Sequence, residues 1–242
     1  MKRRTKIWLG AAAGLMSLGF ILFLAALGYC NWDLTRLNAN KLETGHYAFS
    51  ESFQNISILA STAEVEILPS SDGTCKVVCR EWEDQKHQVV IRDNTLSVKV
   101  NNTRQWYGNI GMYFGEAKIT VYLPEGIYEK IDIRVSTGDI QLRSVRCIDL
   151  ITKGSTGDLE MTDVIAQGKI IITRSTGDVE FERCDADELH ISTDTGDVEG
   201  SLLTSKVFLT ETDTGDIDLP QTAAGGICEV STDTGDIKIR IK

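Results

Sequence analysis

The chain has 242 residues, 42% of them hydrophobic, and its 25 basic and 35 acidic side chains give a formal net charge of −10. A surface this acidic repels phosphate groups, which excludes nucleic acid as a partner. The length and composition allow one extended hydrophobic core, and no low-complexity tract interrupts it.

The first 30 residues contain a basic start and a long apolar segment. Lys2, Arg3, Arg4 and Lys6 precede residues 7–29, which carry no charge. A segment of this length spans a bilayer, and the basic cluster should stay in the cytoplasm. We therefore expect a single-pass membrane protein with residues 31–242 outside the cytoplasm. That part has 21 basic and 35 acidic residues, a charge of −14.

This segment has two other interpretations. Ala26-Leu27-Gly28 offers small residues at which a signal peptide could be cleaved. The apolar run is longer than the roughly 7 to 15 residues usual in such peptides, which favours an uncleaved anchor. Lipidation at Cys30 is disfavoured because Tyr29 before it is bulky.

A tether over residues 31–47 and an irregular β region over residues 48–130 come next. The β region includes a degenerate repeat, Ser61-Thr62-Ala63-Glu64, flanked by alternating apolar residues. It also includes strand-like stretches at 88–91, 96–100 and 118–123. We expect this region to cap a stack of repeats at its N-terminal end.

An aromatic loop within this region is a candidate contact surface. Four aromatic residues lie among glycines, and they are Trp106, Tyr107, Tyr113 and Phe114. Aromatic side chains on such a loop suit contact with an envelope protein or a cell-wall component. Alternatively, they fold over the end of the stack and close its core.

Six tandem turns follow over residues 131–242, each reading Ser/Asp-Thr-Gly-Asp. Their glycines are Gly138, Gly157, Gly177, Gly196, Gly215 and Gly235, separated by 19, 20, 19, 19 and 20 residues. A fixed period near 20 is typical of stacked repeats. Glycine supplies the positive φ that a tight corner requires.

The strands around each turn alternate between apolar and polar positions. Two residues after the glycine, every copy has Ile, Leu or Val, and the next position is mostly acidic. We expect an all-β fold, a β-helix-like parallel β-solenoid of 19–20-residue coils preceded by one N-terminal transmembrane helix. An antiparallel meander also fits, but stacked Thr and Asp ladders favour the parallel form.

The stacked turn aspartates would repel each other by roughly 0.9 kcal/mol per pair at about 4.8 Å in water. One explanation is that each accepts hydrogen bonds from amides of its own turn. The other is Ca²⁺ capture in the last three turns, where a second carboxylate is available. The candidate calcium ligands are Asp194, Asp197, Asp213, Asp216, Asp233 and Asp236.

Catalytic patterns are absent from the sequence. The Asp-Thr-Gly triplets match those of aspartic proteases, but their structural period makes the match a coincidence of turn chemistry. No catalytic triad, zinc-protease or phosphate-loop motif occurs, so we expect no enzyme and no catalytic residues. Five exported cysteines are expected as buried small side chains, and the three histidines show no zinc-ligand spacing.

The anchor, the irregular β region ending in residues 119–126 and the tandem turns together resemble the bacterial putative-adhesin family of β-strand-repeat envelope proteins. The resemblance covers residues 48–242. It implies a β-solenoid outside the membrane, often linked to envelope stress, and brings no catalytic residues. We therefore expect a non-enzymatic extracytoplasmic binding or scaffold module without a cofactor, apart from the calcium considered above. The alternatives are a calcium-stabilised rod and a solenoid enzyme acting on polysaccharides.

Overall fold

The computed structural model describes residues 3–29, 31–32, 41–83, 85–100 and 115–242. Its N-terminal part is one helix, α1 (Arg3–Tyr29), in which Trp8–Tyr29 is long and apolar enough to cross a membrane. A helix satisfies its own backbone hydrogen bonds, as an uncharged segment in lipid must. The helix fits either an anchor or a signal peptide.

From residue 42 onwards the described chain is built of strands. The N-terminal strands are β1 (Leu42–Phe49), β2 (Asn55–Thr62), β3 (Glu64–Pro69), β4 (Cys75–Trp82), β5 (His87–Arg92), β6 (Thr95–Val100) and β7 (Lys118–Leu123). The repeat strands are β8 (Tyr128–Thr137), β9 (Ile140–Arg143), β10 (Arg146–Thr156), β11 (Leu159–Thr162), β12 (Ile165–Ala166), β13 (Lys169–Thr176), β14 (Val179–Cys184), β15 (Glu188–Thr195), β16 (Val198–Leu202), β17 (Lys206–Thr214), β18 (Ile217–Asp218), β19 (Gly226–Thr234) and β20 (Ile237–Ile241).

Each repeat contributes one strand to each of two sheets. The strands before the turns form the pre-turn sheet, in the order β17-β19-β15-β13-β10-β8-β2-β6-β5, with β12 added beside β10. The strands after the turns form the post-turn sheet, in the order β1-β4-β7-β3-β9-β11-β14-β16-β20-β18. The repeats thus stack as coils, each crossing from one sheet to the other at its turn.

The register confirms the parallel arrangement and excludes the meander. Thr156 pairs with Thr137 on one side and Thr176 on the other. Leu159 likewise pairs with Ile140 and Val179. Equivalent positions of neighbouring copies therefore touch, as expected for a parallel β-solenoid.

The order of the coils differs from the sequence order at the C-terminal end. The sixth copy lies between the fourth and the fifth, because β19 pairs with both β15 and β17, and β20 with both β16 and β18. The coils at this end therefore do not stack in sequence order. The sixth copy buries Ile237 and Ile239 completely, whereas Ile217 of the fifth is 45% exposed. Pro220, which lacks an N–H, follows the short β18 and suits the terminal position.

The N-terminal cap is built around the degenerate copy. β2 pairs in parallel with both β8 and β6, and β3 with both β9 and β7, so β6 and β7 form a further coil. β4 and β5 then add antiparallel strands. β1 pairs with β4 along its whole length, so part of the segment assigned to the tether is a strand. The open edge of β4 accounts for it, because unpaired strand edges require hydrogen-bond partners.

Inward positions of both sheets fill the core. Ile131, Ile133 and Ile140, for example, are buried from solvent. The five described cysteines are free and buried, as predicted. Burial raises the pKa of Cys75 and Cys184 to about 11, and that of Cys147 to about 12.

Candidate functional site

The six glycine turns form one border of the stack, which we call the turn edge. Their glycines have φ between 123° and 154°, a conformation that L residues rarely adopt. A Cβ atom at any of these glycines would also lie 2.0 to 2.4 Å from a carbonyl oxygen of the neighbouring coil. Glycine is therefore required by the corner and by the close stacking of coils.

The turn aspartates form a hydrogen-bonded ladder along this edge. The backbone N–H of Asp158 donates to Oδ1 of Asp139, and that of Asp178 donates to Oδ1 of Asp158, both at 2.9 Å. The same contact links Asp197 to Asp178, Asp236 to Asp197 and Asp216 to Asp236, at 2.7 to 2.9 Å. The sequence analysis placed these bonds within each turn, but they run between coils. The reason is that each aspartate side chain faces the next coil, so the amide of that coil, and not one of its own turn, lies within hydrogen-bond distance.

The calcium ligands proposed from the sequence lie on the C-terminal part of this ladder. Asp236 has both carboxylate oxygens engaged, since Oδ2 accepts from Lys238 Nζ at 3.0 Å. The pKa of Asp236 is held below its usual value, first by the Asp216 amide and then by Lys238. Asp194, Asp213 and Asp233 are exposed beside the ladder. A calcium ion here would compete with Lys238, and its binding stays a prediction.

A buried arginine lies beneath the ladder, and the sequence analysis missed it. Arg174 is 1% exposed, and none of its three guanidinium nitrogens has a hydrogen-bond partner among the described residues. Burial lowers its pKa, and the carboxylates of Asp139 and Asp158 oppose that shift. The cation thus offsets part of the repulsion along the ladder.

Gly154 in the preceding coil provides the space for this arginine. A Cβ at Gly154 would lie 2.5 Å from Arg174 Nη1. The two residues occupy the same inward position, three residues before the turn glycine, in adjacent copies. A glycine beside a charged residue at an inward position is the sequence signal that could have identified the pair.

The outer surface of the post-turn sheet carries an acidic row. Glu160, Glu180 and Glu199 occupy equivalent positions and pair in register across β11, β14 and β16. They line a shallow depression of about 360 Å³, together with Glu182 and Lys242. We call this surface, with Glu182 included, the acidic face.

Only part of this charge is neutralised. Glu199 lies 3.2 Å from Lys238 Nζ, and Glu160 lies 3.7 Å from Arg143. Glu180, between them, has no ion pair or hydrogen bond within the described part of the chain. Like charges directly opposite each other destabilise a sheet, so the row has a stability cost.

The aromatic loop residues Trp106, Tyr107, Tyr113 and Phe114 lie outside the described residues. The described strands on either side, β6 and β7, belong to the pre-turn and post-turn sheets respectively. The contact role of these four residues therefore stays a prediction.

The fold and these surfaces define a class of protein, a repeat of stacked parallel β coils with its polar groups arranged along edges and outer faces. The chain belongs to the Toastrack DUF4097 family, which it matches over residues 53–242. No curated protein matches it significantly.

A solved structure shares this fold at low sequence identity. A putative cell adhesion protein from Clostridium sporogenes has a TM-score of 0.53 and 13% identity, covering 84% of this chain and 100% of its own. Putative adhesins from Bacteroides fragilis and Parabacteroides distasonis have TM-scores of 0.48 and 0.44, at 19% and 12% identity. They cover 83% and 84% of this chain, and 97% and 98% of their own. The C. sporogenes structure supports the resemblance noted in the sequence at the level of the fold alone.

Proposed function

We propose that this protein is a non-enzymatic binding or scaffold module of the bacterial envelope, anchored by α1 with its β domain outside the cytoplasm. The acidic face is its main contact surface, and its partner is a basic region of an envelope protein or a cell-wall component. An adhesin or an envelope-stress partner fits this description. The adhesion name of the similar C. sporogenes structure supports the proposal.

The observation that carries the proposal is the row of glutamates on the acidic face, whose charge is only partly compensated. The turn aspartates have a structural explanation, because their carboxylates bond to amides of the next coil. Glu180 has no comparable role among the described residues, and its repulsion from Glu160 and Glu199 on either side opposes the stacking of the coils. Residues that break local rules at a cost in stability are typical of functional surfaces. A basic partner would remove that cost on binding.

Neutralising the row tests this function. Glu180→Gln alone should increase the free energy of unfolding by about 0.2 to 1 kcal/mol per relieved pair, because it breaks no ion pair. Glu160→Gln, Glu180→Gln and Glu199→Gln together form the variant for the binding test. The same variant should lose most of its cross-linking to partners in intact envelopes. The matched control replaces three exposed carboxylates elsewhere: Glu125→Gln, Asp187→Asn and Glu211→Gln. Equal cross-linking by the two variants would refute the assignment of the binding face.

The aromatic loop is the second proposed contact. Deleting residues 103–116 should abolish partner binding and leave the melting temperature unchanged. An equal loss of binding and stability would instead favour the capping role weighed from the sequence.

A calcium-stabilised rod is the second candidate function, and the exposed Asp194, Asp213 and Asp233 favour it. Their strands neighbour one another in the order β15-β19-β17, so Asp233 stands between the other two. Millimolar Ca²⁺ should then raise the melting temperature well above that in chelator. An unchanged melting temperature would eliminate this candidate.

A further inference from the structure

The N-terminal cap contains a buried cluster of three side chains that the proposed function does not use. Cys79 and Glu81 lie on β4, and His87 is the first residue of β5. All three are buried, with 0%, 3% and 6% of their surface exposed respectively. Sγ of Cys79, a carboxylate oxygen of Glu81 and a ring nitrogen of His87 lie within 4.8 Å of one another.

Glu81 holds His87 from two directions. Its Oε2 accepts from the His87 backbone N–H at 2.6 Å and lies 2.7 Å from His87 Nδ1. Tyr47 from β1 donates to the His87 carbonyl oxygen at 3.4 Å, which places a third strand around the cluster. The imidazole is therefore fixed in position before any ligand arrives.

One polar atom in the cluster is left without a partner. His87 Nε2 is buried and has no hydrogen-bond partner among the described residues. An unpaired buried polar atom is destabilising, and native structures contain few of them. The hydrogen bond to Glu81 accounts for only one ring nitrogen, so the histidine retains coordinating capacity.

The three residue types match a borderline-soft divalent metal. Thiolate, imidazole and carboxylate are the ligands of Zn²⁺, and the thiol disfavours Ca²⁺ or Mg²⁺. Zinc–ligand bonds of about 2.0 to 2.3 Å place tetrahedral ligand atoms roughly 3.3 to 3.6 Å apart. The three ligand atoms would have to move closer together by about 1 Å to reach these separations.

We propose that Cys79, Glu81 and His87 form a Zn²⁺ site in the N-terminal cap. Binding converts the Cys79 thiol to a zinc-bound thiolate and releases one proton to solvent, and a water completes the fourth position. The site links β4 to β5, and therefore the post-turn sheet to the pre-turn sheet, at the end of the stack. The sequence analysis missed it because His87 joins Cys79 across a strand connection and lacks the spacing of a zinc motif.

Cobalt substitution tests the site on the full-length chain, purified without metal in detergent. Co²⁺ should bind one ion per chain, with thiolate-to-cobalt charge-transfer and tetrahedral d–d absorption bands, and Zn²⁺ should displace it. Cys79→Ser should abolish the charge-transfer band, and His87→Gln should weaken binding at least tenfold. Cys75→Ser is the matched control, because Cys75 is equally buried on the same strand and face.

Two further measurements keep the test decisive if a variant fails to fold. Zn²⁺ should raise the melting temperature of the wild-type chain and of Cys75→Ser. X-ray absorption at the zinc edge of the wild-type complex should show one sulfur and lighter N or O ligands. Absence of the cobalt bands, a zinc shell without sulfur, or equal Co²⁺ spectra for Cys79→Ser and the wild type would each overturn the proposal.

Discussion

Replacing one turn glycine measures how tightly the coils are stacked. Gly177 has φ of +135°, and a Cβ there would lie 2.1 Å from the Gly157 carbonyl oxygen. The φ strain costs about 1 to 3 kcal/mol for a residue other than glycine. Relieving the overlap requires the two coils to separate locally.

That separation weakens two hydrogen bonds beside the turn. The Gly157 N–H donates to Thr176 O at 3.1 Å, and the Asp178 N–H donates to Asp158 Oδ1 at 2.9 Å. Each bond contributes about 1 kcal/mol. Gly177→Ala should therefore lower the free energy of unfolding by about 3 to 5 kcal/mol. For a domain of this size the melting temperature should fall by roughly 6 to 20 °C.

Two other glycines separate the strain from the overlap. Gly73 has φ of +71°, but no atom of the described residues lies within 4 Å of the position that a Cβ would take. Gly73→Ala should therefore cost only about 1 to 2 kcal/mol. Gly126 has neither feature, so Gly126→Ala should be neutral or slightly stabilising. Thermal and urea unfolding of the full-length chain, followed by far-UV circular dichroism, compares the three.

Hydrogen exchange then locates the damage. Repeat arrays can unfold in steps, so a global midpoint alone can hide a local effect. The loss of protection in Gly177→Ala should centre on β10, β13 and β15. A cost for Gly177→Ala no larger than that for Gly73→Ala would refute the argument that neighbouring coils are in rigid contact.

Three further perturbations follow from the same structure. Asp178→Ala removes the acceptor of the Asp197 N–H, which lies 2.8 Å away, and should lower the free energy of unfolding in urea by about 1 kcal/mol. Asp178→Asn keeps an acceptor oxygen and should recover most of that loss. Equal losses in the two variants would show that the charge matters more than the hydrogen bond. Arg174→Met removes a buried cation, so the free energy of unfolding should stay the same or rise by up to about 4 kcal/mol. Gly154→Ala should lower the free energy of unfolding less in the Arg174→Met background than in the wild type. Equal losses in the two backgrounds would contradict the packing of Gly154 against Arg174. Burial raises the pKa of Cys147 and Cys228 to about 12, so these thiols stay protonated when the unfolded ones ionise. The unfolded state then binds fewer protons, so stability should fall above about pH 9 by up to 1.4 kcal/mol per pH unit for each thiol. Urea titrations of the wild type and Cys147→Ala across this range should show a shallower fall in the variant.

The strand positions could be predicted from the sequence because they depend on local alternation. Ile140, Leu159 and Val179 were assigned to one inward position, and all three are buried in adjacent strands. The turn glycines were also predictable, since a repeated tight corner favours glycine. The direction of the aspartate hydrogen bonds was not, because an amide of the same turn and one of the next coil are equally plausible from sequence.

The order of the last three coils depends on competition between equivalent partners. Copies four to six share the same Asp-Thr-Gly-Asp turn and similar strands, so several stacking orders satisfy the backbone. Burial of Ile237 and Ile239 decides between them, and Pro220 was the one local signal. Arg174 with Gly154, and Cys79 with His87, were missed for the same reason. Each pair forms only when separate strands are brought together.

The two ends of the stack protect their exposed strand edges in different ways. A parallel sheet that stops exposes strand edges to which another chain can pair. At the N-terminal end, antiparallel β1, β4 and β5 continue the sheets beyond the last parallel coil. At the C-terminal end, the coil left outside is the one whose β18 has two residues and is followed by Pro220. Its exposed edge also carries Glu211 and Asp213, whose charges oppose pairing by another strand. The sixth copy lies between the fourth and the fifth, which buries its more apolar strand β20. The fifth copy is left at the edge, and its strands are the least able to pair with another chain.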